Sequence, residues 1–142
     1  MTRIDFYSNA EPKLQFACQL TAKALQQNLR VVIYVLDENT ARGIDKMLWT
    51  FQATGFVPPC PAIHALASET PVVIAREDSE MPHHQVMLNL HSESPASFSR
   101  FDRLIELVGA DDDYRRLARV RYRFYRDRVY EIHHHDLARA GA

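Results

Sequence analysis

The stretch RVVIYVL, from Arg30 to Leu36, constrains this chain more than any other. It is an almost continuous β-branched run with no polar alternation. A strand that meets water on one face alternates apolar and polar residues. One that is apolar throughout is buried on both faces, as in a parallel sheet covered by helices on each side. The flanks agree. Arg3–Tyr7 (RIDFY) reads as a first strand. Between Glu11 and Gln27, Leu14, Ala17, Cys18, Thr21 and Leu25 share one helical stripe, and Pro12 suits a first turn. After the run, Asp37-Glu38-Asn39-Thr40 supplies caps, and Ala41–Trp49 reads as a second helix. Strand, helix, strand, helix opens an α/β fold. The chain's 142 residues amount to one domain, 1–142, with a core of its own. The expected architecture is a single-domain Rossmann-like sheet, largely parallel and flanked by helices.

The later segments are shorter. Thr50–Ala62 holds three prolines and a glycine and reads as a surface loop carrying Phe51, Phe56 and Val57. Pro71–Ala75 (PVVIA) and Gln85–Leu90 (QVMLNL) read as strands around a polar loop. Phe98–Val108 has Phe101, Leu104, Ile105 and Val108 at helical spacing and is expected to form an amphipathic helix. Asp111-Asp112-Asp113 follows, and one of these is expected to cap the next helix.

Several functions are disfavoured by what the chain carries. No apolar run approaches the roughly 20 residues of a membrane span, and Asp5 interrupts the N-terminus before a signal-like run can build. No membrane association and a cytoplasmic location are expected. Cys18 and Cys60 sit in no CxxC and read as free thiols. Four scattered glycines, with no GxxxxGK[ST], GxGxxG or GxSxG, build no phosphate-cradling loop and no nucleophile elbow. His133-His134-His135-Asp136 invites a metal, but adjacent side chains diverge, and zinc sites prefer spaced ligands. Asp5 and Asp37 could hold magnesium at strand ends in a small phosphoryl-transfer enzyme, yet Asp37 is also a good helix cap. The expectation is a non-catalytic protein with no cofactor and no metal.

The strongest functional signal is RRLARVRYRFYRDRVY, from Arg115 to Tyr130. Between Arg115 and Arg128 seven arginines face one aspartate, a local charge of +6; the whole chain carries −1, so the remainder sums to −7. On a helical wheel Arg115, Arg119, Tyr122, Arg123 and Arg126 cluster on one side, expected outward. Leu117, Val120 and Phe124 lie opposite and are expected to pack inward. Like charges four residues apart weaken a helix, and arginine is the residue suited to forked recognition of carboxylates and phosphates and to stacking. The face therefore expects an anion with some apolar content. Nucleic acid would fit through phosphates and base stacking, and so would an acidic peptide with an apolar end. The acidic remainder favours a small, local anion over a broad nucleic-acid footprint.

The chain resembles the chi subunit of bacterial DNA polymerase III over nearly its whole length. The resemblance rests on Phe6-Tyr7, RVVIYV from Arg30, IDKMLWTF from Ile44, GFVP from Gly55, PVVIA from Pro71 and ARVRYRFYR from Ala118. In order, D-x-x-L-W, FVP seven residues after the Trp, and R-x-x-Y-R-x-Y-R are specific together. The resemblance implies an adaptor of the clamp-loader assembly. One surface would bind the acidic C-terminal tail of single-stranded DNA-binding protein, and another the psi subunit. The tail set would be Arg119 at the centre, Arg115, Tyr122 and Arg123 beside it, and Val108 lining a pocket for the apolar terminus. The psi set would be Trp49 and Phe56, serving psi or a diverged replacement. Nucleic-acid contact would be weak or indirect. The alternative is a module that binds nucleic acid directly through the same Arg/Tyr helix. The chain departs from the family's habit in three places: Pro59 stands where a His is common, Asn28 where a Gly ends the first helix, and Asp127-Arg128 where a Gly often follows the last YR. Asn28 can take the left-handed conformation a Gly would supply.

Overall fold

The computed structural model describes residues 2–51, 60–61, 71–76, 81–91 and 93–137, and for 49–51 and 60–61 the backbone only. RVVIYVL forms β2 (Val31–Tyr34), with Val31, Val32 and Ile33 buried. Around it stand β1 (Arg3–Ser8), β3 (Cys60–Pro61), β4 (Val72–Ala75), β5 (Val86–Asn89), β6 (Arg103–Leu107) and β7 (Glu131–Asp136). These strands form one sheet in the order β3-β4-β2-β5-β6-β1-β7. Every pairing is parallel.

The period-2 alternation of the strands divides two cores. On one face Val31, Ile33, Leu88 and Ile105 meet α1 (Lys13–Gln26) and α2 (Glu38–Phe51) through Ala17, Cys18, Ile44 and Leu48. On the other, Ile4, Phe6, Met87 and Leu104 meet α3 (Asp112–Asp127) through Ala118 and Tyr125. The α1 stripe read from the sequence faces the core: Ala17, Cys18 and Thr21 are buried, and Leu14 and Leu25 pack at its margin. Asn28 closes α1 at φ 60, the left-handed position expected of it, with the Leu29 amide bonding back to the Ala24 carbonyl. Asp37 caps α2, its carboxylate accepting from the Thr40 amide at 2.7 Å.

One expectation fails here, the helix over Phe98–Val108. Phe98–Arg100 is a single 3-10 turn, and Arg103–Leu107 is strand β6. RLIEL is a short apolar run that fits either period. Parallel pairing decided it: Leu104 stands beside Ile4 of β1 and Met87 of β5, and all of Leu104 to Leu107 is buried. Glu131–Asp136, for which no element was expected, forms the edge strand β7. Only Ile132 is apolar there. The strand is held by its ladder to β1, from Arg3↔Glu131 to Ser8↔Asp136, and by polar side chains. Among the described residues no helix is long and apolar enough to cross a membrane.

Candidate functional site

Adjacent strands β1 and β6 feed helices on opposite faces, β1 into α1 and β6 into α3. Such a switch of direction opens a crevice at the carboxyl ends of the strands, where open α/β sheets place their sites. The chain fills part of that crevice itself. Glu11 accepts from the Ala110 amide at 2.8 Å, the Ala10 amide donates to the Val108 carbonyl at 2.9 Å, and the Val108 amide donates to the Tyr7 carbonyl at 2.9 Å. A Cβ at position 109 would displace the Glu11 carboxylate from this contact. What stays open is a groove of ≈ 560 Å³ on the α3 side, between that helix and the β1–β7 edge.

The sequence explains how α3 arrives there. Asp111 caps it, accepting from the amides of Asp113 at 2.9 Å and Tyr114 at 3.2 Å. Asp112 and Asp113 occupy the first turn, where the helix dipole favours anions. The face turned inward is not the apolar one. Ala118, Arg121 and Tyr125 are buried, whereas Leu117 is 38% and Val120 60% exposed. The expected inward packing of Leu117 and Val120 is therefore wrong; of that set only Phe124 is partly covered, against Phe98 and Tyr125. Beneath the buried face lies a charge on β6. Glu106 is wholly buried, and three donors converge on it: Arg121 Nε at 3.1 Å, the Tyr125 hydroxyl at 2.7 Å and Asn89 Nδ2 at 3.0 Å. Burial raises the Glu106 carboxyl above its ordinary value, against the charge of Arg121 and the hydrogen bonds of Tyr125, Arg121 and Asn89. All three neighbours donate, so the arrangement is satisfied by the carboxylate.

With α3 so turned, Val108, Arg115, Arg119, Tyr122 and Arg123 all line the one groove. Val108 reaches it from just beyond strand β6 and not from the end of a helix, as expected. Its side chain is buried beside Phe6 and Ala118, and the Tyr122 ring meets Phe6 edge-on at 5.4 Å. These form an apolar floor. Arg115 is held in place: it donates to Asn9 Oδ1 at 3.0 Å, and Asn9 donates to Asp136 at 2.7 Å. Arg126 leans on Asp127 at 3.4 Å. Among the described residues Arg119 and Arg123 have no carboxylate partner. An apolar floor beneath unpaired guanidiniums can take a carboxylate or phosphate by a forked hydrogen bond and an apolar group beside it.

Sequence reasoning missed part of this wall. Phe6 and Ser8 of β1 and His134 and Asp136 of β7 also line the groove. The spacing of Phe6 and Ser8, two apart on a strand, was a usable signal; β7 carried none. His134 Nε2 lies 3.2 Å from the Ser8 hydroxyl. His135 points the other way, stacked on Tyr7 at 4.5 Å and 3.0 Å from Asp5. Strand alternation thus separates His134 from His133 and His135, and among the described residues no three His, Cys, Asp or Glu side chains gather as metal ligands. Asp5 is buried between Arg103 at 2.7 Å and Arg3 at 3.3 Å. Burial pushes its carboxyl up, but hydrogen bonds from His135 and Arg103 and the charges of Arg103 and Arg3 outweigh it and hold the group below its ordinary value. Asp5 and Asp37 are thus engaged separately, in an ion-pair cluster and a helix cap. Trp49 lies in the last turn of α2; Phe56 is outside the described residues.

Fold and groove together define a class: a parallel α/β domain whose open crevice is lined by arginines above apolar side chains. Comparison with known proteins makes this specific. Residues 1–133 match the family model described as "DNA polymerase III chi subunit, HolC". The chain is 36% identical to the DNA polymerase III subunit chi of Pseudomonas aeruginosa, over 98% of this chain and 99% of that one. It is 30% identical to the Escherichia coli K12 protein of the same name, over 88% and 84% of the two chains. The chain belongs to the DNA polymerase III chi subunit family.

Proposed function

We propose that this chain is a non-catalytic accessory subunit of DNA polymerase III in replication, and that its groove binds the acidic C-terminal tail of single-stranded DNA-binding protein. The observation that carries the reading is the convergence of Val108, Arg115, Arg119, Tyr122 and Arg123 on one groove, where Arg119 and Arg123 have no carboxylate partner among the described residues. In this reading the Arg119 guanidinium takes the terminal carboxylate, Val108 and Tyr122 take the last side chain, and Arg123 and Arg126 draw in the acidic stretch. Charges at the rim speed encounter more than they tighten it. The end of α2 around Trp49, with Phe56, is the surface assigned to psi or a diverged replacement, which would link the chain to the clamp loader.

The test is fluorescence anisotropy of a labelled acidic peptide ending in phenylalanine with a free carboxylate, with labelled single-stranded DNA in parallel. The peptide binds, and both Arg119→Ala and amidation of the terminus weaken it by about ten-fold or more, about 1.4 kcal/mol. Binding of the DNA and not the peptide would make the groove a nucleic-acid surface instead. The acidic remainder of the chain weighs against that second reading, because it would repel a broad nucleic-acid footprint.

A further inference from the structure

We propose that Glu106 and Arg121 are positioning residues for the groove: their buried ion pair, not apolar burial, sets the rotation of α3 and so aims its arginines. This deepens the reading above and rests on it for the ligand.

Helix α3 has two faces that could turn inward. One is Leu117, Val120 and Phe124, the apolar face. The other is Ala118, Arg121 and Tyr125, which holds a guanidinium. They differ by about 100° of rotation, roughly one residue's worth. Apolar burial alone would choose the first, since each large side chain withdrawn from water stabilises by about 1.5–3 kcal/mol. The protein takes the second, with Arg121 6% exposed while Val120 stays 60% exposed. What favours that choice is the strand beneath. Glu106 points from β6 at the helix, with its carboxylate accepting from both Arg121 and Tyr125, residues one turn apart on α3. A buried carboxylate without such a partner is costly. A two-point grip by residues four apart on a helix fixes rotation as well as distance. Asn89 on β5 holds the other carboxylate oxygen at 3.0 Å, so the acceptor itself cannot swing. Buried ion pairs are weak stabilisers compared with apolar packing, and register is their best-attested use.

The consequence for the groove is geometric. Arg115, Arg119 and Tyr122 lie about a quarter-turn from the buried face. Rotating the helix to bury Leu117 and Val120 would carry them away and bring the present inner face toward the groove. Neither Glu106 nor Arg121 lines the groove; they act through α3.

The test uses the full chain carrying Val120→Cys as a reporter, with thiol labelling at position 120 followed by mass spectrometry and affinity for the acidic, phenylalanine-ended peptide followed by anisotropy. With Glu106 intact, the reporter labels fast. Glu106→Met removes the carboxylate that grips both Arg121 and Tyr125. The helix turns, labelling at 120 slows about ten-fold or more, and peptide affinity falls about ten-fold or more. Adding Arg121→Met puts an apolar residue back on the original inner face and restores both. A loosened structure would speed labelling instead, so slower labelling separates rotation from damage. The proposal is overturned by Glu106→Met leaving both readouts unchanged, by affinity falling without slower labelling, or by the double variant behaving like the single. Glu106→Gln, which keeps the shape and weakens the acceptor, repeats the comparison in a milder form should Glu106→Met not fold. Labelling needs no ligand. Failure of the unaltered protein to bind the peptide would sink the proposed function while the labelling series still decides the helix rotation.

Discussion

Helices α1 and α3 invite comparison. They are of similar length, flank the same sheet and end alike. In each a residue at φ near 60° follows the last turn, Asn28 after α1 and Val129 after α3. In each the next amide bonds back into the helix, Leu29 to Ala24 and Tyr130 to Tyr125. They differ in what they turn inward. Helix α1 buries Ala17, Cys18, Thr21, Ala22 and Ala24, small residues that let it lie close on the strands. Helix α3 buries an arginine and a tyrosine hydroxyl and leaves leucine and valine in solvent. The lesson is that amphipathicity predicts rotation when the sheet beneath is apolar and fails when it presents a charge. The helix that obeys apolar burial supports the fold; the one that departs from it builds the groove.

The largest expected break in this contrast is Arg121→Met. It leaves the Glu106 carboxylate buried on a strand that cannot turn away, at a cost of about 3–5 kcal/mol by urea unfolding at pH 7. Next comes acid. Asp5 has its carboxyl held below the ordinary value, so its contribution to stability is complete above the unfolded-state value, about 3.9, and is lost as pH falls through the folded one. Urea midpoints should drop as pH is lowered through that window, and Asp5→Asn, less stable at pH 7, should show a flatter acid limb. A paired substitution then sharpens the comparison of helices. Ala17→Leu on α1 should cost about 1–3 kcal/mol through overpacking, whereas Val120→Leu on α3 should stay within about 0.5 kcal/mol because the position faces water; thermal unfolding measures both. A gain comes last. Val129 is β-branched, left-handed and 79% exposed, so Val129→Gly should stabilise by about 1 kcal/mol, seen as a raised urea midpoint. Asn28→Gly, at the matching end of α1, should gain less, since asparagine tolerates that conformation.

Much of this was legible in the sequence. RVVIYVL required a strand covered on both faces, the stripe through Ala17 and Thr21 placed α1, Asp111–Asp113 marked the start of α3, and the arginine series marked one charged face of that helix. All five residues assigned to the tail site line one groove. The readings of strand, helix and cap succeeded because they depend on neighbours in sequence: periodicity and capping residues.

Tertiary structure decided the rest. RLIEL fits a helix or a strand by pattern, and only the open ladder positions between β1 and β5 made it β6. EIHHHD has no apolar alternation, and only pairing with β1 made it β7, which brought His134 and Asp136 to the groove. The rotation of α3 was set by Glu106, fifteen residues before Arg121 in the chain and on a different element. Hydrophobic burial is non-directional and can be read from a pattern. A buried ion pair is directional, and its partner is known only once the strand beneath the helix is in place.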